Sequence, residues 1–273
     1  MLLFKIVGVL LLLYGLAVFA LLRLETQMVF PAPQITRAQL QAQAQELGAR
    51  ERTVVTEDGV PLYGRRRGHS EQLVLIFSGN GASVGQFGER ESLFLSLGFE
   101  TLHVNYRGYP GSPGSPSEAG LVLDGRAAYA EALRTHSADR ILVFGKSLGG
   151  GVAIATLSGH DQPPAGLIIE SSFKSVAAVA FRRFPILPTG LLMRNPFDSL
   201  KRAPLVDCPV LILHSKGDAL IPFSHGEALN VALPDSCLVS LEGLEHNANL
   251  LAEASGRAAL SHFLEKISLR KVE

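Results

Sequence analysis

Three side chains in this 273-residue chain have the types and the order required for nucleophilic catalysis. Ser147 lies in the pattern Gly-Lys-Ser-Leu-Gly, Asp218 follows it, and His246 comes last. A serine hydroxyl is a weak nucleophile, and it attacks a carbonyl only when a base removes its proton and an acid orients that base. The sequence therefore predicts acyl transfer with Ser147 as nucleophile, His246 as base and Asp218 as acid.

The serine is predicted to lie on a sharp turn between a buried strand and a helix. Residues 141–144 are apolar throughout, as in a strand buried on both faces, and an apolar stretch typical of a helix begins after Gly150. In a G-x-S-x-G turn the glycines permit close backbone contact, and the serine side chain is exposed at the end of the sheet. The flanking strand and helix make this short motif specific.

The base and the acid are assigned from their positions after later strands. In an open parallel sheet, functional loops lie at the carboxyl ends of the strands. Of the eight histidines, only His246 follows a late strand in a loop that opens a helix. Asp218 comes just past the strand predicted at residues 210–214, while Glu170, at the end of the strand at 166–169, is the competing acid.

An oxyanion hole needs two preorganised N–H donors. We predict the backbone N–H of Leu148, directly after the nucleophile, and that of Asn80, in the glycine-rich loop after the strand at residues 73–77. This loop lacks the G-x-G-x-x-G spacing of a dinucleotide site, and the sequence has no CxxC pair or metal-spaced His/Cys cluster. We therefore expect no cofactor and no metal.

Strands alternate with helices along the chain, which predicts an α/β fold with a mostly parallel central sheet and helices on both faces. The predicted strands are at residues 73–77, 101–105, 141–144, 166–169, 210–214 and 238–241, and the predicted helices at 86–97, 116–135, 223–233 and 249–267. A hairpin at 53–56 and 62–66 precedes them. Residues 172–207 have no strand of their own and are predicted to form a small helical cap.

Several local features of the sequence allow two interpretations. The apolar residues of the cap are either its own packing or a wall for an acyl chain or a membrane surface. The basic run at residues 65–67 is expected in a solvated loop or edge strand, with a lipid-headgroup contact as the alternative. Ser115-Pro116-Ser117-Glu118 predicts a capping box with Pro116 at the first helical position.

The N-terminal segment is long and apolar enough to cross a bilayer. Residues 6–22 carry no charge and lie between Lys5 and Arg23. We predict a transmembrane anchor at residues 1–24, a polar linker helix within 25–50 and the main domain at 51–273. A signal peptide cleaved after Ala20 is the alternative. The slight charge bias predicts a cytoplasmic N-terminus and a domain on the opposite, periplasmic or extracytoplasmic side.

Composition and cysteine content limit the possible partners. The formal net charge is +0, from 25 basic and 25 acidic residues, which gives no electrostatic basis for binding nucleic acid. Cys208 and Cys237 are expected to be free thiols, with a disulfide as the alternative if the domain is exported. The sequence does not define the oligomeric state.

Together these motifs resemble the α/β-hydrolase superfamily, and within it the membrane-anchored abhydrolase-domain serine hydrolases of the protein-depalmitoylase-like branch. The resemblance covers residues 51–267. Besides the three candidate catalytic residues and their flanks, it rests on Phe77-Ser78-Gly79-Asn80, Asn105-Tyr106-Arg107-Gly108-Tyr109, Glu170-Ser171-Ser172-Phe173 and the stretch at 208–214. Ser78 departs from the pattern, because such proteins usually carry histidine there.

The resemblance implies a serine hydrolase without a cofactor that cleaves esters or thioesters, with small-molecule or acyl-chain substrates of a lipid-like kind. Some members of that branch remove palmitate from protein cysteines. A prolyl-oligopeptidase-type serine peptidase shares the triad order, but the chain lacks a propeller domain and its cap is small. A catalytically silent, membrane-tethered binding module is the third hypothesis, and it predicts a broken triad.

Overall fold

The computed structural model describes residues 1–84 and 86–269, so the end of the predicted domain, 270–273, lies outside the described residues. An eight-stranded sheet has the order β1-β2-β4-β3-β5-β6-β7-β8. The strands are β1 (Arg50–Val55), β2 (Pro61–Arg67), β3 (Leu73–Phe77), β4 (Glu100–Val104), β5 (Ile141–Lys146), β6 (Gly166–Glu170), β7 (Val210–Ser215) and β8 (Ser236–Leu241). Strands β3 to β8 run parallel, and β1 and β2 form an antiparallel hairpin at one edge.

Ten α-helices are described within these residues. They are α1 (Leu2–Val29), α2 (Arg37–Glu46), α3 (Gly88–Ser96), α4 (Glu118–Leu133), α5 (Leu148–Leu157), α6 (Val176–Arg183), α7 (Thr189–Leu192), α8 (Ser199–Arg202), α9 (Ser224–Ala232) and α10 (Ala254–Lys266). Short 3-10 helices lie at Ala138–Arg140, Ala203–Leu205 and Leu250–Ala252. The mostly parallel sheet with helices on both faces confirms the predicted fold class.

The central strands are buried on both faces because helices cover each side of the sheet. Successive side chains of a strand point to opposite faces. In β3, Leu75 and Phe77 pack into the hydrophobic core that contains residues of α4 and α5, while Val74 and Ile76 pack into the core that contains residues of α3 and α10. All five residues of β3 are buried, as its uninterrupted apolar sequence predicts.

The N-terminal helix is longer than the predicted anchor. α1 continues past residue 24 to Val29, and it is the one helix of the described chain that is long and apolar enough to cross a membrane, with a mean hydropathy of 2.5 over its most apolar 18 residues. None of those 18 residues is buried, whereas Leu21, Glu25 and Val29 near the end of α1 are buried against the rest of the chain.

The segment expected to be a polar linker is packed against the sheet. α2 begins with a capping box between Thr36 and Gln39, and its Leu40 is 1 % exposed in a cluster with Tyr63 and Val84. Its buried residues are only Leu40 and Ala44. Because the helix has so few apolar residues, its sequence did not indicate that it packs against the domain.

Two local predictions are wrong. The basic run at 65–67 is not in a solvated loop or at an edge, because β2 lies between β1 and β4. Arg65 is 1 % exposed and forms an ion pair with buried Glu91, which also binds Arg67, while Arg66 forms an ion pair with Glu100. Charge along a strand is compatible with burial when each guanidinium has a carboxylate partner.

The other error concerns the start of α4. Its N-cap is Ser117, whose hydroxyl accepts from the Gly120 N–H, so the helix begins at Glu118 and Pro116 lies before it. Glu118 does not close a capping box, because its carboxylate accepts from the Phe197 N–H and pairs with Arg202 in the cap region. A tertiary contact replaces the local one.

The cap comprises α6, α7 and α8 and the turns between them. Its apolar residues divide between both interpretations of the sequence, since Leu187 and Met193 are buried while Phe181, Ile186 and Leu191 are exposed. The two cysteines are free, with Cys208 buried and Cys237 exposed, and the alternative disulfide is not formed.

Candidate active site

The turn between β5 and α5 holds Ser147 in an unusual backbone conformation, with φ at 50° and ψ at −115°. Positive φ is unfavourable for a residue with a side chain, and the surrounding contacts keep it there. The Ser147 N–H donates to the Glu170 carbonyl at 2.9 Å, and the Ser172 hydroxyl donates to the Ser147 carbonyl at 2.8 Å. A Cβ atom on Gly149 would collide with the backbone of Phe77, so only glycine fits there.

The structure brings the three candidate residues into one hydrogen-bonded relay. His246 Nε2 lies 3.1 Å from Ser147 Oγ, and His246 Nδ1 lies 2.7 Å from Asp218 Oδ2. All three residues are buried, and each is less than a tenth exposed. This is the geometry in which a carboxylate orients an imidazole toward a hydroxyl.

Asp218 is held by the loop after β7. Its Oδ1 accepts from the backbone N–H groups of Leu220 at 3.0 Å and Ile221 at 2.8 Å, which leaves Oδ2 for His246. Burial alone would raise the pKa of Asp218, but the hydrogen bonds from His246 and Ile221 outweigh it and lower the pKa below its ordinary value. The carboxylate is therefore ionised at neutral pH.

Ser215, at the end of β7, ties the loops of the acid and the base together. Its hydroxyl oxygen accepts from the Gly217 N–H at 3.1 Å and from the Leu244 N–H at 3.0 Å. Gly217 also lies against Gly243, because a Cβ added to Gly217 would come within 2.9 Å of the Gly243 backbone. The spacing between Asp218 and His246 is thus set by backbone contacts as well as by their own hydrogen bond.

Lys146, whose role the sequence left open, extends from the nucleophile turn to the histidine loop. Its ammonium donates to Glu170 at 2.8 Å, to the His246 carbonyl at 2.9 Å and to the Ala248 carbonyl at 3.2 Å. Arg90 pairs with the same carboxylate of Glu170 and also donates to Ala248. The competing acid Glu170 therefore belongs to a buried ionic cluster under the histidine loop, and it is not the partner of His246.

The two cations of this cluster stabilise the ionised form of Glu170. Burial lowers the pKa of Lys146, with Glu170 acting in the opposite direction. Burial would raise the pKa of Glu170, but Lys146 and Arg90 outweigh it, so the pKa of Glu170 lies below its ordinary value.

The second predicted oxyanion donor lies in the loop after β3. Gly79 faces the nucleophile, since a Cβ there would lie 3.5 Å from the Ser147 Cβ, and Asn80 follows it. The Tyr106 hydroxyl donates to the Ser78 carbonyl at 2.9 Å, and this contact supports the loop where histidine is usual in the resembling proteins. Leu148 is the first residue of α5, where backbone N–H groups have no partner within the helix.

Ser147, Leu148 and Asn80 border a pocket of about 550 Å³. A pocket of this size is within the range that holds a small organic ligand. Its apolar wall comes from α1, the cap and the loop after Asp218, and it includes Leu21, Val29, Val176, Phe184, Met193 and Leu220. Among the described residues no group of three or more His, Cys, Asp or Glu side chains is arranged to hold a metal ion.

Comparisons with known proteins agree with this geometry. The family model described as Hydrolase_4, serine aminopeptidase S33, matches residues 68–195. The chain is 35 % identical over 205 residues to an uncharacterised protein of Mycobacterium tuberculosis, a match that covers 72 % of both chains. The structure of the esterase PF2001 of Pyrococcus furiosus superposes with a TM-score of 0.66 at 19 % identity, over 82 % of this chain and 93 % of that one. The chain belongs to the α/β-hydrolase superfamily.

A second relative is informative about the type of hydrolase. The lysophosphatidylserine lipase ABHD12 of Xenopus tropicalis is 32 % identical over 190 residues, which cover 60 % of this chain and 48 % of the relative. The chain thus spans about half the length of that lipase. Together with the family model and the esterase fold, this similarity confirms the expected hydrolase of the esterase and lipase type.

Sequence reasoning missed two contributions to the site of this α/β-hydrolase. It gave Lys146 no role, because the carbonyl that Lys146 binds belongs to residue 246, 100 positions away. It also treated α1 only as an anchor, whereas Leu21, Glu25, Met28 and Val29 line the pocket. The available signal was their spacing of three to four residues, which places them on one helical face, with Glu25 at the end of the apolar run.

Proposed function

We propose that the protein is a membrane-tethered serine hydrolase that cleaves oxoesters or thioesters of lipid-like acyl groups. The observation that carries the proposal is the relay from Asp218 through His246 to Ser147 beside an apolar pocket. The name of the ABHD12 relative, a lysophosphatidylserine lipase, supports an acyl lipid as substrate.

In the proposed reaction, the Ser147 hydroxyl oxygen attacks the carbonyl carbon of the ester. His246 Nε2 takes the hydroxyl proton, and the Asp218 carboxylate stabilises the imidazolium that forms. The oxyanion of the tetrahedral intermediate accepts hydrogen bonds from the backbone N–H groups of Leu148 and Asn80. His246 then protonates the leaving alcohol or thiol, and water cleaves the acyl-enzyme by the same route.

The membrane tether and its orientation belong to the same proposal. α1 carries no charged side chain between Lys5 and Arg23, which supports a bilayer-spanning role. The charge bias toward Lys5 and the amino terminus supports a cytoplasmic N-terminus and a catalytic domain on the opposite side of the membrane.

The test is labelling of the full chain with a fluorophosphonate probe, followed by hydrolysis of p-nitrophenyl esters and acyl thioesters of graded chain length. Wild type should form an adduct that Ser147→Ala lacks, and His246→Ala should slow hydrolysis by about 10⁴-fold or more. Absence of any adduct would favour the catalytically silent module. Faster cleavage of aminoacyl p-nitroanilides than of esters would favour the peptidase, and a preference for short acyl groups would exclude the lipid substrate.

A further inference from the structure

We propose that the membrane helix α1 is itself one wall of the acyl pocket, so that the acyl chain of a bilayer lipid ester reaches Ser147 by sliding along α1. This inference rests on the proposed function and deepens it, because it makes the anchor a determinant of substrate selection. Three observations on α1 carry it.

The first observation is that one face of the last turns of α1 is built into the molecule. Leu21, Glu25 and Val29 are 7 %, 2 % and 9 % exposed, and they recur every four residues, which places them on one side of the helix. Met28, on the flank of this face, is 49 % exposed and lines the same pocket as Ser147. The pocket is therefore shared between α1 and the hydrolase domain.

The second observation is where this face lies along the helix. A helix of 28 residues is about 42 Å long, whereas the hydrocarbon core of a bilayer is about 30 Å thick. The uncharged apolar run at residues 6–22 would occupy the hydrocarbon core, and Leu21 belongs both to that run and to the pocket. The pocket thus begins where the bilayer ends, and a lipid acyl chain need not cross water to reach it.

The third observation is that α1 is fastened to the cap. The Glu25 carboxylate accepts from the Arg194 N–H at 3.1 Å and from Asn195 through its backbone N–H at 2.7 Å and its side-chain amide at 3.0 Å. Such a buried carboxylate is tolerated only when hydrogen bonds replace its lost water. Phe30 also packs edge-to-face against Phe197, with ring centroids 6.1 Å apart.

The occupant follows from the chemistry of the two walls. The α6 residues that line the pocket from the other side are Val176, Val179, Ala180, Arg182 and Arg183, with Phe184 just beyond the helix. Apolar side chains predominate in both walls, although Glu25, Arg182 and Arg183 also line the pocket. Because Ser147 lies in the same pocket, an aliphatic chain with its ester carbonyl at the serine matches the apolar part of the lining. Exposed Phe181 and Ile186 of the same cap add apolar surface of the kind that contacts lipid.

The experiment compares Met28→Trp with Leu24→Trp in the full chain, reconstituted in phosphatidylcholine vesicles. Leu24 is 47 % exposed, is one turn away on the same helix and does not line the pocket, so it is the matched control. We measure kcat/KM for p-nitrophenyl palmitate and p-nitrophenyl acetate. Met28→Trp should lower the palmitate-to-acetate ratio about tenfold or more, because the indole occupies space that the long chain needs. Leu24→Trp should leave the ratio unchanged.

A second variant keeps the test decisive. Glu25→Ala removes the hydrogen bonds that fasten α1 to the cap, and it should lower kcat/KM for p-nitrophenyl palmitate more than kcat/KM for p-nitrophenyl acetate. An unchanged ratio in both Met28→Trp and Glu25→Ala, or an equal loss in Leu24→Trp, would overturn the inference. If wild type neither labels nor cleaves any ester, the proposed function fails, and that result is distinct from a chain-length ratio that does not respond.

Discussion

Lys146 shows how a residue beside the nucleophile in sequence can act on the opposite partner of the relay. Its ammonium donates to the backbone carbonyl of His246 at 2.9 Å. The same ammonium neutralises Glu170, whose own carbonyl holds the Ser147 N–H. The buried cluster therefore links the backbones of the nucleophile and the base, and we assign Lys146 as a positioning residue.

Two variants separate this role from stability alone. Lys146→Met and Glu170→Gln each remove one partner of the same buried ion pair, and each should lower the free energy of unfolding by about 3–5 kcal/mol. Only Lys146→Met also loses the contact with the His246 carbonyl, so its kcat should fall about 10²-fold further, with KM little changed. Ester kinetics and thermal melts measure both effects. Equal kcat values in the two variants would contradict the assignment.

At this scale the relay could be predicted from the sequence because strand ends of a parallel sheet meet at one edge. Ser147, Asp218 and His246 each follow a strand, so their order and position were sufficient. The buried contacts of Glu25 and Arg65 could not be predicted, because their partners are distant in the sequence. The charge of Arg65 suggested that its side chain is exposed to solvent, whereas in the structure it forms an ion pair with Glu91 in the interior.

At the scale of elements, the turn from β5 into α5 has no room for a side chain on either of its glycines, Gly145 and Gly149. A Cβ on Gly145 would lie 2.5 Å from the Gly149 carbonyl oxygen, and a Cβ on Gly149 would run into the carbonyl of Phe77. Backbone cannot yield as a flexible side chain does, so β3, β5 and α5 are in direct contact here. The absence of side chains at these two glycines therefore fixes the position of the Ser147 turn against β3.

Gly149→Ala should therefore destabilise the fold by at least about 2 kcal/mol and lower esterase activity, because α5 must move away from β3. Gly190→Ala is the control, since that glycine lies in α7 with open space around it. It should keep the wild-type stability or gain up to about 1 kcal/mol. Circular dichroism in urea measures both, as the chain has no tryptophan. Equal midpoints for the two variants would refute the packing argument.

The predicted strands and long helices recur in the structure because their signals are local. β3 has the predicted bounds, because its uninterrupted apolar sequence indicates a buried strand without any tertiary information. The start of α4 was predicted two residues too early, because Glu118 bonds to Phe197 and Arg202 across the molecule. The docking of α2 rests on Leu40 and Ala44, which are too few to give a periodic apolar signal.

At the scale of the whole molecule, the proposed orientation makes the domain and the N-terminus face opposite sides of the membrane. The side of the membrane on which the domain lies can be tested through Cys237, because this thiol is exposed whereas Cys208 is buried. Burial raises the pKa of the Cys208 thiol to about 12, which suppresses its reaction with maleimides at neutral pH.

A membrane-impermeant maleimide should therefore label the full chain in right-side-out vesicles and leave it unlabelled in inside-out vesicles. Cys237→Ser should abolish the signal in right-side-out vesicles, which controls for reaction at Cys208. Mass spectrometry of the labelled peptide identifies the site. Labelling confined to inside-out vesicles would reverse the proposed orientation.

The positive φ of Ser147 sets selection for stability against selection for activity at a single residue. A non-glycine residue in such a conformation costs of the order of 1–3 kcal/mol, a sizeable part of the stability of an ordinary domain. Replacement by glycine would relieve that strain and remove the nucleophile in the same step. In evolutionary terms, drift toward a more stable fold leads directly to a silent one, so a lineage that retains serine at this turn is one in which the reaction is still required.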